Sequence, residues 1–320
     1  MAKGRVSHNR KKQKKLERKR RSEKKRTRDS TPATIQVTPK LAQKIGEAYD
    51  LIDDGRYDEA DVLLNRLGKR YGRCPAVVEA QIDFYQTVEN HQLTCDAAHR
   101  LAILMPRNPD ARLMYAQESA FCGRVAIAIA NYRLFLQNWP DHANARKAVK
   151  AIELCESECE ARIERMGFSE TGFELLILHE ETLECLSSNQ FEGAAEKCLQ
   201  LLKRVPDCMP ARNNLAIAYY QSGDAAKAIR VIEETCRLAP DNLFALATLG
   251  KFQFMNGELE AANIIADHIV VNPPTEPDPL AAAVEFLSFL GRDENVVVIS
   301  EAAQDRRIVD PRCTGLLMHY

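Results

Sequence analysis

The sequence of 320 residues lacks the features that mark membrane, secreted and disulfide-bonded proteins. No stretch approaches the roughly 18 consecutive apolar residues that a membrane-spanning helix needs. There is no N-x-S/T glycosylation sequon, and none of the ten cysteines stands in a CxxC pair. We therefore interpret the cysteines as reduced thiols that pack like small hydrophobic residues, and we predict an intracellular, cytoplasmic protein without membrane contact.

Sequence motifs for catalysis are also missing. The chain has no glycine-rich phosphate loop ending in Gly-Lys-Ser/Thr and no GxSxG nucleophile elbow. His179 and Glu180 begin like the zinc-protease motif HExxH, but Leu183 stands where the second zinc ligand would be. Cys155 and Cys159 lie one helical turn apart, with no nearby His or Cys pair to complete a tetrahedral site. We predict a protein that is not an enzyme, with no catalytic residue, no cofactor, no metal and no small-molecule substrate.

Charge is distributed very unevenly along the chain. The chain has 44 Lys and Arg residues and 45 Asp and Glu residues. Residues 1–30 hold 15 of the basic and 3 of the acidic residues, which gives this segment a net charge of +12. The other 290 residues therefore carry a net charge of −13. In KKQKKLERKRRSEKKR, residues 11–26, eleven of sixteen side chains are basic and Leu16 is the one aliphatic side chain. Because the segment has so little to bury, we predict that residues 1–38 form a disordered basic tail.

The basic tail has three possible roles. It can attach electrostatically to RNA, DNA or a ribonucleoprotein such as the ribosome, serve as a nuclear localisation signal in a eukaryote, or fold back on the acidic remainder of the chain. No apolar segment follows the charges as in a signal peptide, no apolar face suits a membrane surface, and no aromatic residue is interleaved for base stacking. The candidate nucleic-acid contacts are Arg10, Lys11, Lys12, Lys14, Lys15, Arg18, Lys19, Arg20, Arg21, Lys24, Lys25 and Arg26.

Two stretches, residues 109–142 and 209–242, are each 34 residues long and align without gaps. A central glycine suits the left-handed conformation that ends a first helix, alanines let two antiparallel helices approach closely, and a proline stops the second helix. The aligned pairs are Ala111 with Ala211, Ala116 with Ala216, Gly123 with Gly223, Ala128 with Ala228, and Pro140 with Pro240. Large apolar residues are expected to fill the space beside the alanines: Tyr132, Phe135, Tyr219 and Ile232.

This pattern resembles the tetratricopeptide repeat (TPR) family, whose unit is a 34-residue helix–turn–helix. The resemblance implies an all-α fold, an α-solenoid of about seven stacked antiparallel helical hairpins. In this frame a first block, 39–142, holds the repeats 41–74, 75–108 and 109–142. A second block, 175–310, holds the repeats 175–208, 209–242, 243–276 and 277–310.

The segment between the two blocks, residues 143–174, predicts a long linking or capping helix followed by a short break. Apolar residues recur at spacings of three and four from Val149 to Met166, and neither glycine nor proline occurs from Ala143 to Met166. Residues 311–320 look like the start of a further repeat helix. Either that helix docks on the last repeat or the chain is a fragment there, and whether the blocks form one superhelix stays open.

The resemblance also implies a concave groove, formed mainly by the first helix of each repeat. Aromatic and aliphatic side chains make this stripe more apolar than a solvated surface needs, which predicts that a partner helix or extended peptide binds there. The alternative is that neighbouring repeats cover some of these side chains. The candidate groove residues are Leu176, His179, Leu183, Asn213, Asn214, Ile217, Tyr220, Phe244, Lys251, Phe254 and Met255.

One mode of binding known in the family is disfavoured. Some members clamp the C-terminal carboxylate of chaperones with Lys and Asn in one repeat, Asn in the next, and Lys and Arg in the third. Asn214 matches the middle position, but the flanking positions hold His179 and Leu183, and Phe244 and Thr248. We predict a protein–protein interaction scaffold whose tail adds attachment to nucleic acid. The alternatives are a nucleic-acid- or ribosome-associated factor acting mainly through its tail, and a regulatory subunit of an enzyme complex.

Overall fold

The computed structural model describes residues 35–169 and 171–305, and these residues form fifteen α-helices and no β-strand. The predicted all-α fold is confirmed. Most of the predicted tail, all of its candidate nucleic-acid contacts and the predicted helix start at 311–320 lie outside the described residues. In chain order the helices are α1 (Pro39–Asp53), α2 (Tyr57–Tyr71), α3 (Pro75–Thr87), α4 (His91–Leu104), α5 (Pro109–Phe121), α6 (Val125–Asn138), α7 (Ala145–Arg165), α8 (Gly172–Ser187), α9 (Phe191–Arg204), α10 (Met209–Gln221), α11 (Ala225–Leu238), α12 (Leu243–Met255), α13 (Leu259–Val271), α14 (Pro277–Phe289) and α15 (Asp293–Asp305).

The described helices divide into two compact units. Unit 1 consists of residues 35–123 and 130–152, and unit 2 of residues 124–129, 153–169 and 171–305. In unit 2 each hairpin packs on the next, and the first helices of successive hairpins, α8, α10, α12 and α14, also contact one another in that order. This stacking is that of an α-solenoid. The predicted blocks, 39–142, 143–174 and 175–310, stay a prediction.

Local sequence explains where several helices begin. Prolines occupy the first helical position of α1, α3 and α5, where the missing N–H costs nothing. The Thr38 hydroxyl accepts a 3.2 Å hydrogen bond from the backbone N of Leu41 at the start of α1. Asn108 Oδ1 accepts from the backbone N of Asp110 and of Ala111, at 2.9 and 3.2 Å, at the start of α5. These side chains satisfy amides that have no partner within the helix.

The turn inside each hairpin needs one residue in the left-handed conformation. Five glycines with φ between 69° and 91° supply it: Gly55, Gly123, Gly223, Gly257 and Gly291. The role predicted for Gly123 and Gly223 is therefore confirmed. The hairpins α3–α4 and α8–α9 have no glycine there, and Glu89 (φ 54°) and Asn189 (φ 56°) adopt the conformation instead. Among the hairpins of residues 35–169 and 171–305, these two turns alone place a residue with a side chain in the left-handed conformation, which disfavours side chains.

The core of unit 2 depends on small side chains between paired helices. Ala216 of α10 and Ala228 of α11 are both completely buried, in one cluster with the buried Ile232. Tyr219 is half-buried and packs against this cluster. The predicted close approach of the two helices over alanine is confirmed.

Candidate protein-binding groove

An open cavity of about 530 Å³ lies in unit 2 between the first helices α10, α12 and α14. The lining residues recur at the 34-residue period of the repeat. Ile217, Lys251 and Glu285 occupy the same repeat position in three successive repeats, and Ala247 and Ala281 share another position. One equivalent face of three consecutive first helices therefore forms the wall. We call this space the α12 cavity.

Aromatic and aliphatic side chains form one side of the α12 cavity. The rings of Tyr220 and Phe252 stack with centroids 4.2 Å apart and planes within 8°. Phe244 is half-buried beside them, and Met255 is 51% exposed at the edge. Large apolar side chains that face an open cavity lose contact with water only when another molecule covers them.

Small side chains make the room for the cavity. The repeat position of Asn213 is taken one repeat later by Ala247 and two repeats later by Ala281. The position of Asn214 is taken in the same way by Thr248 and then by Ala282. Side chains at these two positions thus become smaller toward α14, where Ala281 and Ala282 line the cavity.

The polar part of the lining is largely satisfied within the protein. Lys251 Nζ lies 2.6 Å from Glu285 Oε1, so the two charges pair across α12 and α14. The Thr248 hydroxyl donates a 2.9 Å hydrogen bond to the carbonyl oxygen of Phe244, inside its own helix. The cavity therefore offers an apolar surface with one internally neutralised ion pair.

The structure brings five of the predicted groove residues together in the α12 cavity: Ile217, Tyr220, Phe244, Lys251 and Met255. The other six lie elsewhere. Three have buried side chains in the helix packing: Leu176, Asn213 and Asn214. Phe254 contacts Phe289 in an edge-to-face pair at 5.0 Å, and Leu183 and His179 do not line the cavity.

Sequence reasoning missed several residues of the lining. Phe252 is two positions before the predicted Phe254, and Ala281, Ala282 and Glu285 belong to the last hairpin, where no groove residue was proposed. Stepping 34 residues on from Ala247 and Lys251 would have found Ala281 and Glu285. No comparable signal identifies Phe252, because its place depends on the ring of Tyr220 in the neighbouring helix.

A second notable cluster in unit 2 is buried and charged. Glu180 of α8 is 1% exposed, and its carboxylate accepts hydrogen bonds from the backbone N of Ala126 (3.2 Å) and Ile127 (2.9 Å) in the first turn of α6. A carboxylate at a helix N-terminus is favoured by the amides there. Arg124, itself 4% exposed, lies 3.4 Å from the Glu184 carboxylate.

Burial dominates the protonation of this cluster. Burial raises the pKa of Glu180 to about 7, against the opposing effect of its two backbone hydrogen bonds and of Arg162 and Arg124. Burial, and after it the charge of Arg162, lower the pKa of His179 to about 4. Such shifts also occur at catalytic sites. Here each oxygen of the Glu180 carboxylate accepts one hydrogen bond from the first turn of α6, an arrangement that caps the start of that helix.

The first helices of unit 1 present a different surface. Tyr49 of α1 donates a 2.7 Å hydrogen bond to Asp83 of α3, again 34 residues further on. Burial raises the pKa of Tyr49, and the hydrogen bond and charge of Asp83 and the charge of Glu79 raise it further. Asp83 and Glu79 are exposed, so this face is acidic where the α12 cavity is apolar.

Among residues 35–169 and 171–305, no group of three or more His, Cys, Asp or Glu side chains is arranged to hold a metal ion. Over the same residues, none of the helices combines the length and apolar character required to cross a membrane.

YvcD is a sequence relative that matches part of this chain. No protein-family model matches the chain. The TPR repeat-containing protein YvcD of Bacillus subtilis (strain 168) is 30% identical over 96 residues, which is 30% of this chain and 20% of YvcD. The chain therefore spans about a fifth of the length of this curated relative.

Several solved structures are similar at low scores. A tetratricopeptide repeat protein from Parabacteroides merdae ATCC 43184 matches over 87% of this chain and 97% of its own, with a TM-score of 0.39 and 13% identity. The P58(IPK) TPR domain matches over 80% and 67%, with a TM-score of 0.34 and 13% identity. The human IFIT1 dimer with m7Gppp-AAAA matches over 86% and 71%, with a TM-score of 0.36 and 15% identity. Nothing about function follows from scores this low.

The stacked hairpins and their contacting first helices define the chain as an α-solenoid. The 34-residue spacing of Ala247 and Ala281, the left-handed glycine turns and the similarity to YvcD agree on its class. The fold of the described residues is therefore one of stacked 34-residue helical hairpins, similar to the tetratricopeptide repeat that the sequence resemblance implied.

Proposed function

We propose that this protein is a non-catalytic scaffold that binds a segment of a partner protein in the α12 cavity. The observation that carries the proposal is the open space of about 530 Å³ between α10, α12 and α14, walled by Tyr220, Phe244 and Met255. Covering apolar surface contributes about 25 cal/mol per Å² removed from water, so these side chains favour association with an apolar partner surface.

Covering by neighbouring repeats was the alternative for these side chains. For Phe254 that alternative describes what is found, because its ring packs against Phe289. Met255 in contrast stays 51% exposed, and Phe244 is half-buried at the cavity wall. The proposed binding surface therefore includes the five predicted residues that line the cavity and leaves out Phe254.

Site-specific photo-crosslinking tests the proposal in the full chain. A photoreactive benzoylphenylalanine replaces either the exposed Gln221 at the cavity or the exposed Arg230 on α11, which is the control. We expect crosslinked protein species from position 221 that are absent from position 230 and that disappear when Ala281→Leu fills the cavity. Identical crosslinks from both positions would refute a specific groove.

A second activity is supported by charge. Residues 1–30 carry +12, and each phosphate that such a tail neutralises releases counterions, which gives sequence-independent and salt-sensitive binding to nucleic acid. We therefore propose that the tail adds electrostatic attachment to the scaffold. Deleting residues 1–30 is expected to abolish retention on immobilised double-stranded DNA at low salt. Unchanged retention would refute this part of the proposal.

A further inference from the structure

We infer that the α12 cavity selects uncharged protein segments that carry a large apolar side chain, and that the Lys251–Glu285 pair determines this selection. The inference rests on the proposed function, because it names the class of segment that the cavity takes. This mode of binding differs from the chaperone carboxylate clamp, whose flanking positions hold other residues in this chain.

The size of the α12 cavity favours a segment with a large side chain. Ala247, Ala281 and Ala282 line the cavity at repeat positions that Asn213 and Asn214 occupy in an earlier repeat. Ala281 and Ala282 are half-buried, so their methyl groups border the open space. A volume of about 530 Å³ accommodates a large side chain such as Phe, Leu or Trp together with neighbouring atoms of its segment. A small polar side chain would leave the half-buried Phe244 and the exposed Met255 uncovered.

The charged side chains of the cavity lining favour an uncharged segment. Lys251 and Glu285 are the charged side chains that line the cavity, and with Nζ and Oε1 2.6 Å apart they neutralise each other. An acidic segment that approaches Lys251 is repelled by Glu285, the ion-pair partner of Lys251. A basic segment that approaches Glu285 is repelled by Lys251 in the same way. Neither gains a net counter-charge, while both lose hydration against the apolar wall. Uncharged segments avoid this cost.

The same comparison argues against the chain's own tail as the occupant. In residues 11–26, eleven of sixteen side chains are basic and one is aliphatic, so the tail has little to place against Phe244 or Met255. The cavity therefore fits a segment of another protein whose contacting residues are uncharged and include an aromatic or large aliphatic anchor.

The role assigned to the ion pair has a specific consequence. Removing one partner leaves the charge of the other uncompensated at the cavity wall. Lys251→Met leaves the exposed Glu285 carboxylate without its counter-charge and should draw basic segments, whereas Glu285→Gln leaves Lys251 without its counter-charge and should draw acidic ones. A pair that served only to join α12 to α14 would not change the charge of the bound segment.

A selection with random twelve-residue peptides displayed on phage tests this in the full chain. Each peptide pool is selected on the wild type, on Lys251→Met, on Glu285→Gln and on Ala281→Leu, after circular dichroism has shown that all four are folded. For the wild type we expect enriched peptides that are uncharged, contain an aromatic or large aliphatic residue, and bind Ala281→Leu at least about tenfold more weakly. The two charge variants should enrich basic and acidic peptides respectively.

The outcomes separate the two levels of the proposal. Peptides that depend on the cavity but are charged in the wild type, or that keep the same charge in all variants, would overturn the inference and leave the proposed function standing. A selection that yields no peptide sensitive to Ala281→Leu would overturn both.

Discussion

Gly250 of α12 packs directly against the ring of Phe286 in α14. A Cβ placed on Gly250 would lie 2.3 Å from Cζ of Phe286 and 2.8 Å from both neighbouring ring atoms. Phe286 is completely buried, and the atoms that would be met belong to a rigid ring rather than to the end of a flexible chain. The spacing of two walls of the α12 cavity therefore depends on the absence of a side chain at residue 250.

Adding one methyl group at this contact should destabilise unit 2. Gly250→Ala gains up to about 1 kcal/mol of helix propensity but forces apart well-packed helices, which typically costs about 1–3 kcal/mol and can cost more with so short a contact. We expect a melting temperature lower by several degrees in thermal unfolding followed by circular dichroism. Gly46→Ala is the matched control, because Gly46 also lies inside a helix and nothing stands within 4 Å of its added Cβ. That control should be neutral or stabilising, and equal effects of both changes would contradict the packing argument.

Glycine substitutions in the two hairpin turns that lack glycine should stabilise the protein. Glu89 adopts φ 54°, a left-handed conformation that disfavours a side chain by about 1–2 kcal/mol, part of which glycine loses again through its greater freedom in the unfolded chain. We expect Glu89→Gly to raise the free energy of unfolding by about 0.5–1 kcal/mol, and Asn189→Gly by less, because asparagine tolerates this conformation better.

A glycine turn supplies the control for that prediction. Gly55 has φ 70° and open space around it, so Gly55→Ala should destabilise through backbone conformation alone. Urea unfolding of the three variants compares them directly. Destabilisation by Glu89→Gly would show that the Glu89 side chain stabilises the turn in a way that its φ angle does not reveal.

The contributions of the neighbouring residues His179 and Glu180 to stability should change with pH in opposite directions. The pKa of Glu180 is raised from 4.5 to about 7, so the folded protein holds a proton that the unfolded chain has lost between these values. Its contribution to stability is therefore lost as the pH rises from 4.5 to 7, by about 3 kcal/mol in all. The pKa of His179 is lowered from 6.5 to about 4, so its contribution is lost as the pH falls through that range.

Single substitutions separate the two contributions. Relative to the wild type, Glu180→Gln should become more stable as the pH rises from 4.5 to 7, and His179→Gln should become more stable as the pH falls from 6.5 to 4. Melting temperatures of the three proteins at half-unit pH intervals measure these differences. Parallel pH profiles for all three would show that neither group titrates differently in the folded and unfolded chain.

Much of the fold was predictable because it depends on local signals. The repeat spacing, the alanines of the α10–α11 hairpin and Gly223 each act within one hairpin, and each was read from the sequence alone. The left-handed turn at Glu89 was not foreseen, because nothing in its side chain favours that conformation and the geometry of the hairpin imposes it.

The candidate groove was predictable only in part. Repeat position indicated Tyr220, Phe244 and Met255, which line the α12 cavity, and their role in binding stays a prediction. It did not distinguish Phe252 from Phe254, because each ring is placed by an aromatic partner in a different hairpin, Tyr220 for one and Phe289 for the other. The burial of Glu180 also escaped, since its partners Ala126 and Ile127 are more than fifty residues away in sequence.

The central claim is that a partner segment binds in the α12 cavity, and filling that cavity tests it most directly. A peptide enriched on the wild type is titrated by calorimetry into the wild type, Ala281→Leu and Ala226→Leu. Ala226 is exposed on α11 and does not line the cavity, so its substitution adds the same volume elsewhere. We predict that Ala281→Leu weakens binding at least about tenfold, equivalent to about 1.4 kcal/mol, and that Ala226→Leu leaves it unchanged. Equal affinities for all three proteins would contradict the account.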